Sequence, residues 1–160
     1  MGGCIFCSIV RGEAPSYRLY EDDKVIVILD KYPVSEGHSL VISRRHYVNI
    51  TDAPMDLVAH AFRVAAALAK VFRWKLGARG VNVIANAGRA AFQEVMHLHI
   101  HVIPRWHSQG RLFGGRHTLT SEEAERVVSM LAPYRDIISR MVAGSADIVN
   151  ESTEGSPLPG

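Results

Sequence analysis

The stretch HLHIHVIPR constrains this chain most, because it places histidines at three alternate positions. Side chains alternate between faces along a β-strand, so His97, His99 and His101 should share one face. The apolar residues between them should pack beneath a helix as ordinary core. We predict this strand from about Val95 to Ile103, with Pro104 ending it. Three imidazoles on one face indicate a functional site rather than isolated, solvated histidines.

One metal ion is not expected to bind all three rings. In an extended strand, the Cα atoms of the outer two histidines lie about 13 Å apart, at about 3.3 Å per residue. A Zn–N bond is only about 2.1 Å long, so both outer rings would need strong bending to reach one ion. The three imidazoles are therefore expected to divide between different tasks.

The remaining pattern predicts an α+β fold in a single domain of about 1–142. Short β-branched runs at Lys24–Asp30 and His38–Ser43 flank a turn and predict two antiparallel strands. A short run at Tyr17–Tyr20 predicts an edge strand, and Gly80–Gly88 predicts another strand. With the histidine strand these make a five-stranded antiparallel sheet. Strands in runs, separated by one long helix, favour α+β over a doubly wound α/β fold.

Two helical regions are predicted. An Ala-rich amphipathic stretch predicts one long helix from about Pro54 to Leu76. A capping box at Thr120–Glu123 begins a C-terminal helix of about 120–142, which Pro133 should kink or split. The last segment, 143–160, is rich in Gly, Ser and Pro, and this composition predicts a disordered tail.

Composition limits the classes of function. The net charge of +2 gives no reason to expect nucleic-acid binding, while the pI near 8.7 suits an anionic small substrate. No run of about 18 apolar residues predicts a membrane span, and the first residues lack a signal-peptide pattern. We therefore expect a cytoplasmic protein with no nucleic-acid or membrane partner. The Gly-rich segment 110–117 lacks the spacing of a phosphate-binding P-loop.

Cys4 and Cys7 form a CxxC pair that has three interpretations. A thioredoxin-type redox pair belongs at a strand-to-helix turn in a βαβ unit, and the flanking sequence does not predict one. Two reduced thiols without a special role are a second interpretation. A structural zinc site is the third, and it needs two further ligands.

Three segments of the chain, in order, resemble the histidine triad (HIT) nucleotide-binding proteins. They are CIFCSIVRGEAPS, LDKYPVSEGHSLVISRRH and NAGRAAFQEVMHLHIHVIPR. The resemblance covers about Cys4 to Arg105, while the C-terminal helix and tail lie outside it. It implies a HIT-like fold, a homodimer that joins two sheets edge to edge, and nucleotidyl transfer at the α-phosphate of a nucleotide.

The resemblance implies roles for five polar residues. His99 is the nucleophile, which forms a nucleotidyl-histidine intermediate that water then hydrolyses. His101 and His38 complete a cluster around the phosphate. Gln93 contacts the phosphate and the bridging atom, and Asn86 lies near the phosphate. A neutral imidazole suits the nucleophile's role near pH 7, provided that its second nitrogen donates its proton, for example to a backbone carbonyl.

The same resemblance implies a nucleoside pocket for a purine nucleotide. Ile5, Phe6 and Ile28 sandwich the base, and Asp30 accepts hydrogen bonds from the ribose hydroxyls. From the residues alone, simple core packing is the better explanation of the three apolar side chains.

Relatives that keep the CxxC pair bind structural zinc through two further histidines. By the resemblance, these are His46, which ends the ISRRH segment, and His97, the first histidine of the triad. The predicted zinc ligands are therefore Cys4, Cys7, His46 and His97. This implies a division of the triad, with one ring for zinc and two for phosphate.

The chain departs from the common family pattern beside Gln93. Many relatives have Gly and Ser at its two sides, where this chain has Phe92 and Glu94. A Ser hydroxyl can donate to a phosphate, whereas an ionised Glu cannot donate and repels an anion. The sequence thus leaves the leaving group open, and Glu94 is compatible with a cationic or amine leaving group.

Three functions remain for the structure to separate. The first is a hydrolase or transferase acting on purine nucleoside phosphoramidates or dinucleoside polyphosphates. The second is a nucleotide-binding or sensing module whose turnover is incidental. The third is a metalloenzyme that uses the triad as a catalytic metal site, which the spacing of the histidines disfavours.

Overall fold

The computed structural model describes residues 3–107 and 112–149, which form a five-stranded antiparallel sheet with helices on both faces. The strand order is β1-β2-β3-β5-β4, so the last strand of the chain lies between β3 and β4. The predicted α+β class and antiparallel sheet are confirmed. The strands are β1 (Arg18–Glu21), β2 (Val25–Leu29), β3 (Ser39–Ser43), β4 (Gly80–Ile84) and β5 (His99–Arg105).

The helices follow the predicted order, with one addition at the N-terminus. The long predicted helix is α2 with a final π-helical turn, and Pro133 lies in a 3₁₀ turn that splits the C-terminal helix in two. No helix in the described ranges is long and apolar enough to cross a bilayer. The helices are α1 (Ile5–Val10), α2 (Met55–Lys70), α3 (Ser121–Leu131) and α4 (Arg135–Ala143).

The histidine strand begins and ends later than predicted. β5 starts at His99, so His97 lies just before the strand, and β5 continues through Pro104. The pairing of β5 with β3 ends at Val102. Beyond that point, the carbonyl of Pro104 accepts a hydrogen bond of 2.6 Å from the Ser35 hydroxyl. In a strand the N–H and C=O of one residue point to the same side. The missing N–H of Pro104 therefore removes no hydrogen bond of the ladder.

The sheet separates two apolar clusters. On one face, α2, α3 and α4 pack over alternate residues of the central strands, among them Val27, Val41 and Ile100. On the other face, α1 places Phe6 and Ile9 against the intervening residues of β2 and β3. This alternation is the period of two that a strand with both faces buried requires. The face that carries α1 is also the face of the histidines.

The packed chain extends past the predicted start of the tail. Ala143 still belongs to α4, and Ile148 is buried in the larger apolar cluster. The backbone N–H of Ile148 is bonded to its neighbour Asp147, whose carboxylate also pairs with Lys70 of α2. These contacts correct the boundary of 143 by several residues. The rest of the predicted tail, 150–160, lies outside the described residues.

Candidate functional site

The sequence alternation of β5 places the second and third histidines of the triad under α1. His99 and His101 face the cluster of α1, while Ile100 and Val102 face the long helix. His38 enters the same space because it immediately precedes β3, which pairs with β5. His38 is fully buried, and His99 and His101 keep only 8% and 7% of their surface exposed.

His97 turns away from the other two rings and joins a second group. Its Nδ1 lies 3.3 Å from the Sγ of Cys4, 3.5 Å from the Sγ of Cys7 and 3.1 Å from the Nδ1 of His46. The Sγ of Cys7 is also 3.3 Å from the Nδ1 of His46. These ligand atoms all lie within 4.8 Å of one another. The structure thus brings together all four predicted zinc ligands.

This group fits a tetrahedral zinc ion. Bonds of about 2.3 Å to sulfur and 2.1 Å to nitrogen place tetrahedral ligand atoms roughly 3.4–3.8 Å apart. Four of the six separations between these ligand atoms are within a few tenths of an ångström of these values. Two thiols and two imidazoles are also a donor set of structural zinc sites.

A second hydrogen bond fixes which nitrogen of His97 is available to a metal. Its Nε2 donates to the carbonyl of Ser43 at 2.7 Å, so a neutral ring has its lone pair on Nδ1. Such an outer partner orients a metal-binding histidine and sets its tautomer. Cys4 is the N-cap of α1, and no strand precedes that helix in the described residues. The strand-to-helix setting of a thioredoxin-type pair is therefore absent there.

Hydrogen bonds also fix the tautomers of the phosphate-side histidines. The backbone N–H of Val34 donates to Nδ1 of His38 at 3.1 Å. Neutral His38 therefore carries its proton on Nε2, which donates to Nδ1 of His101 at 2.9 Å. His101 in turn carries its proton on Nε2. The chain of bonds ends in an N–H group of His101 that is available to a bound anion.

His99 has the opposite arrangement, which is the one a nucleophile needs. Its Nδ1 donates to the main-chain carbonyl of His97 at 2.6 Å. The lone pair is therefore on Nε2, and this nitrogen is free to attack. The rings of His99 and His101 are 5.0 Å apart between centroids. A free lone pair and an N–H donor thus lie side by side on one face of β5.

Burial keeps these imidazoles neutral. It lowers the pKa of His38 to about 4, although the nearby carboxylate of Asp30 acts in the opposite direction. It lowers the pKa of His101 to about 3, with further contributions from His99 and His38. The pKa of His99 is also lowered, again mainly by burial. The tautomers derived from the hydrogen bonds are therefore those present near pH 7.

Asp30 lies closer to the histidine cluster than its predicted ribose role requires. One carboxylate oxygen accepts from the backbone N–H of Tyr32 at 2.8 Å. The other lies 3.4 Å from Nε2 of His38 and 4.0 Å from Nδ1 of His101. Asp30, His38 and His101 form a second group of metal-ligand type. Since His97 and His99 lie outside that group, the triad itself does not converge on one point.

Gln93 has a different place from the one predicted. Its side-chain amide is buried, and its oxygen accepts from Asn49 at 3.1 Å and from the N–H of Gly88 at 2.8 Å. Its nitrogen donates to the carbonyls of Val48 at 2.6 Å and Val95 at 2.9 Å. All of its strong hydrogen-bonding groups are used within the protein. In this structure Gln93 fixes the loop before the histidines rather than facing the cluster.

The predicted base-binding residues divide into exposed and buried members. Ile5 is 51% exposed, whereas Phe6 and Ile28 are buried in the smaller apolar cluster. The Phe6 ring also meets His99 edge-on, at 5.1 Å between centroids. Phe6 and Ile28 therefore form the floor beside the nucleophile. Asn86 is half-buried and donates to the carbonyl of Phe92 at 3.5 Å.

The sequence analysis missed a segment that borders this cluster. Phe113 lies with its ring 6.5 Å from that of His101, and Arg116 pairs with Glu94 at 3.3 Å. The backbone N–H of Leu119 donates to the carbonyl of Lys31 at 2.9 Å, which holds the segment beside the β2–β3 loop. The sequence pattern treated these residues as a Gly-rich loop, and no spacing rule relates them to the histidines.

Fold and site together define an α+β protein with two histidine centres on one sheet face. One centre has the donors of a structural metal site, and the other presents a free imidazole nitrogen beside an N–H donor. A sequence model described as the HIT domain matches residues 11–108. The chain belongs to the HIT family, whose members are nucleotide-binding, hydrolase-type proteins, and its CxxC pair fits the zinc-containing branch.

Individual relatives agree with this assignment. An uncharacterized HIT-like protein of Mycobacterium tuberculosis is 43% identical over 101 residues, covering 63% of this chain and 70% of that protein. The adenylylsulfatase HINT3 of Arabidopsis thaliana is 38% identical over 133 residues, covering 79% and 66%. A Zn-bound histidine triad family protein from Mycobacterium smegmatis superposes with a TM-score of 0.71 at 39% identity, covering 84% and 97%.

Proposed function

We propose that this protein is a nucleotidyl hydrolase or transferase that attacks the α-phosphate of purine nucleotide derivatives through His99. The observation that carries the proposal is the 2.6 Å hydrogen bond from Nδ1 of His99 to the carbonyl of His97. It leaves the lone pair on Nε2, at a buried position where the ring is neutral. The substrate classes are nucleoside phosphoramidates and dinucleoside polyphosphates.

The reaction has two displacement steps at phosphorus. In the first, Nε2 of His99 forms a P–N bond and the bond from phosphorus to the leaving group breaks. The leaving group keeps the electron pair, and an amine also takes up a proton from solvent. In the second, water attacks phosphorus, the P–N electron pair returns to Nε2, and the water proton is released to solvent. Throughout, Nδ1–H stays bonded to the carbonyl of His97.

His101 and His38 have different roles in these steps. Nε2–H of His101 donates to the phosphoryl oxygens, whose charge grows in the transition state. His38 donates to the other nitrogen of His101 at 2.9 Å and thereby fixes that donor in place. His101 is accordingly a catalytic residue, and His38 a positioning residue that acts through it. Neither role requires a charged imidazole.

The nucleoside is assigned to the surface formed by α1 and β2. Ile5, Phe6 and Ile28 contact the purine base, and the exposed face of Ile5 supports this assignment because a ligand would cover it. Asp30 accepts hydrogen bonds from the ribose hydroxyls. It does so with the carboxylate lone pairs that its 2.8 Å hydrogen bond from the Tyr32 N–H does not use. Asn86 remains a candidate phosphate neighbour. Gln93 acts indirectly, by fixing the loop.

Cys4, Cys7, His46 and His97 would hold a structural zinc ion, which would cross-link α1, the loop after β3 and the loop before β5. Support comes from the convergent ligand atoms and from the relative of Mycobacterium smegmatis, which is described as Zn-bound. The side chains of these four residues have no role in the reaction steps described above.

Three further features complete the proposal. The outermost strands of the sheet are β1 and β4, and we assign the homodimer contact to a free strand edge. The Arabidopsis thaliana relative is named an adenylylsulfatase, which supports adenylyl sulfate as an additional candidate substrate. We place the activity in the cytoplasm, where CxxC thiols stay reduced and able to bind metal.

The first prediction concerns the covalent intermediate on His99. Phosphorus–nitrogen bonds to imidazole are labile in acid and survive in base. Quenching the reaction in base during turnover, followed by mass spectrometry, should find the nucleotide on the peptide that contains His99. His99→Ala should abolish turnover but still bind nucleotide by calorimetry, since the base and ribose contacts lie elsewhere. Near wild-type turnover by His99→Ala would show that another nucleophile is used.

A further inference from the structure

The segment of residues 112–119 borders the histidine cluster beside His101. Two backbone bonds attach it to the loop after β2: Leu119 N–H donates to Lys31 at 2.9 Å, and His117 N–H donates to Pro33 at 3.4 Å. Phe113 extends from the same segment toward His101, with 6.5 Å between the ring centroids. The segment thus lines the site next to the phosphate-side histidines.

Arg116 is the cation that this segment brings to the site. Its guanidinium pairs with Glu94 at 3.3 Å, and the two side chains are 36% and 75% exposed. An ion pair open to solvent contributes little to stability, so its carboxylate can be exchanged for another anion. Burial is the main cause that lowers the pKa of His38 and of His101, and the nearby positive charge of Arg116 acts in the same direction on both.

We propose that Arg116 binds the leaving group, and that the preferred leaving group is an oxyanion, a sulfate or a phosphate. This inference rests on the proposed nucleotidyl transfer and specifies its substrate class. Glu94 alone would repel an anion at this position and is compatible with an amine. With Arg116 beside it, the acidic charge is neutralised. The exposed guanidinium is then available to exchange its carboxylate partner for the oxygens of the departing group.

The chemistry of the first step explains why such a group needs a cation. When Nε2 of His99 bonds to phosphorus, the P–O bond to the leaving sulfate or phosphate breaks and its electron pair stays on that oxygen. The departing oxyanion is a weak base, so it requires no proton but gains negative charge. A guanidinium is always charged and matches two oxygens at once through its forked N–H groups. An amine leaving group would gain nothing from it.

The test compares leaving groups on one common nucleotidyl group. We expect Arg116→Ala to lower the ratio of kcat/KM for adenylyl sulfate to that for adenosine phosphoramidate by about tenfold or more, the effect of losing a charge-assisted hydrogen bond. Arg116→Lys should recover part of this loss. Glu94→Gln should raise the ratio, because it removes the competing carboxylate. A diadenosine triphosphate arm separates phosphate from sulfate as the preferred oxyanion.

Arg140→Ala is the matched control, because it removes the same charge from α4 on the opposite face of the sheet and pairs there only with its helix neighbour Asp136 in the contacts described. The ratio should not change in this variant. An unchanged ratio in Arg116→Ala, or an equal fall for both substrates, would overturn the proposal.

A binding measurement separates this proposal from the proposed function. In a His99→Ala background, calorimetry with the intact ligands should show that Arg116→Ala weakens the binding of adenylyl sulfate more than the binding of adenosine phosphoramidate. That difference supports the role of Arg116 even if the wild type hydrolyses neither compound, which would refute only the nucleotidyl-transfer function. Equal weakening of the two ligands, or none, would reject Arg116 as the leaving-group residue while leaving hydrolysis through His99 intact.

Discussion

His97 connects the two centres through three different atoms. Its Nδ1 belongs to the Cys and His group, its Nε2 donates to Ser43, and its main-chain oxygen accepts from His99. A displacement of this one residue would therefore disturb the metal ligands and the tautomer of the proposed nucleophile together. Substitution of His97 is consequently a poor way to separate stability from activity, whereas His38 and His101 touch only the phosphate side.

The hydrogen bond between His38 and His101 predicts non-additive kinetics. His101→Ala should lower kcat by about 10²–10³-fold, as for the loss of one transition-state donor. His38→Ala should cost about 10-fold or somewhat more, because it only orients that donor. Since His38 acts through His101, His38→Ala should cost nothing further in the His101→Ala background.

Turnover of one substrate by the two single variants and the double variant measures this coupling. His38→Gln offers a conservative comparison, because its amide N–H keeps a donor near Nδ1 of His101 and should recover part of the loss. Multiplicative effects of the two alanine variants would instead mean that His38 contacts the substrate by itself.

At this scale, spacing predicted that the three histidines divide between tasks, and the family resemblance predicted which one turns to the metal, but neither predicted every contact. The four predicted zinc ligands lie together, and so do His38, His99 and His101. The internal bonding of Gln93 could not be predicted, because its partners are backbone groups of loops whose course depends on the whole fold. Arg116 was missed for the same reason, since its link to Glu94 spans 22 residues with no sequence pattern.

Among the elements, α1 is the one whose position we expect to depend most on a metal. It has only six residues, and a helix that short is not stable alone in water. Its attachments include Phe6 and Ile9 in the smaller apolar cluster and the thiols of its N-cap and first turn. The Arg18 side chain of β1 also donates to the carbonyls of Ile9 and Val10 at its C-terminal end. Ile5 and Phe6 reach the proposed base site from the same turn. Zinc should therefore stabilise both the domain and the nucleoside surface.

Zinc removal tests this dependence. Freshly purified, reduced protein should contain about one zinc ion per chain by elemental analysis. Because metal binding is coupled to folding, a strong chelator should lower the melting temperature by about 10 °C, equivalent to a loss of roughly 3 kcal/mol for a domain of this size. Nucleotide affinity should fall in parallel.

The double variant Cys4→Ser, Cys7→Ser is the control for that experiment, because it should not respond to chelator beyond its own lowered melting temperature. Absence of zinc from the reduced wild type, or an unchanged melting temperature after chelation, would remove the assignment of the four ligands. A fall in melting temperature without any fall in nucleotide affinity would show that α1 keeps its place without the metal.

Element types were predictable because each strand and helix has its own apolar period, whereas element ends depend on neighbours. The alternation in MHLHIHV continues without interruption, so the sequence predicts a strand start near Val95. In the structure, the ladder with β3 begins only where Ile42 meets His99. The end of β5 was missed for a similar reason. Pro104 is tolerated because it lies beyond the last residue of β5 that pairs with β3, and no local sequence pattern reveals where that pairing ends.

At the scale of the whole molecule, the sheet separates an apolar core on one face from the proposed reactive histidines on the other. The face under α2, α3 and α4 is apolar, while the opposite face combines a small apolar cluster with buried imidazoles. Burying His38 and His101 costs solvation of their charged forms, and this cost appears as pKa values lowered from the usual 6.5 to about 4 and about 3. The arrangement that keeps the site neutral therefore also makes folding dependent on pH.

The direction of this dependence follows from proton uptake. Below about pH 6.5 the unfolded chain binds protons at His38 and His101, whereas the folded chain does not until pH falls to about 4 and about 3. The free energy of unfolding should therefore decrease as pH falls from about 6.5 toward 4. Each histidine contributes on the order of a few kcal/mol over that range. Above about pH 7 neither residue should affect the pH dependence.

Urea denaturation at a series of pH values from 8 to 4 measures this directly, and His38→Gln provides the comparison. The glutamine cannot bind the proton. Between pH 6.5 and 4, the unfolding free energy of the variant should therefore change less steeply with pH, by the contribution of one proton, which is about 1.4 kcal/mol per pH unit. Acid loss of zinc affects both proteins alike and cancels in their difference. Parallel curves for wild type and variant would mean that folded His38 takes up its proton near pH 6.5. The neutral hydrogen-bonded pair of His38 and His101 would then not be the state that operates at lower pH.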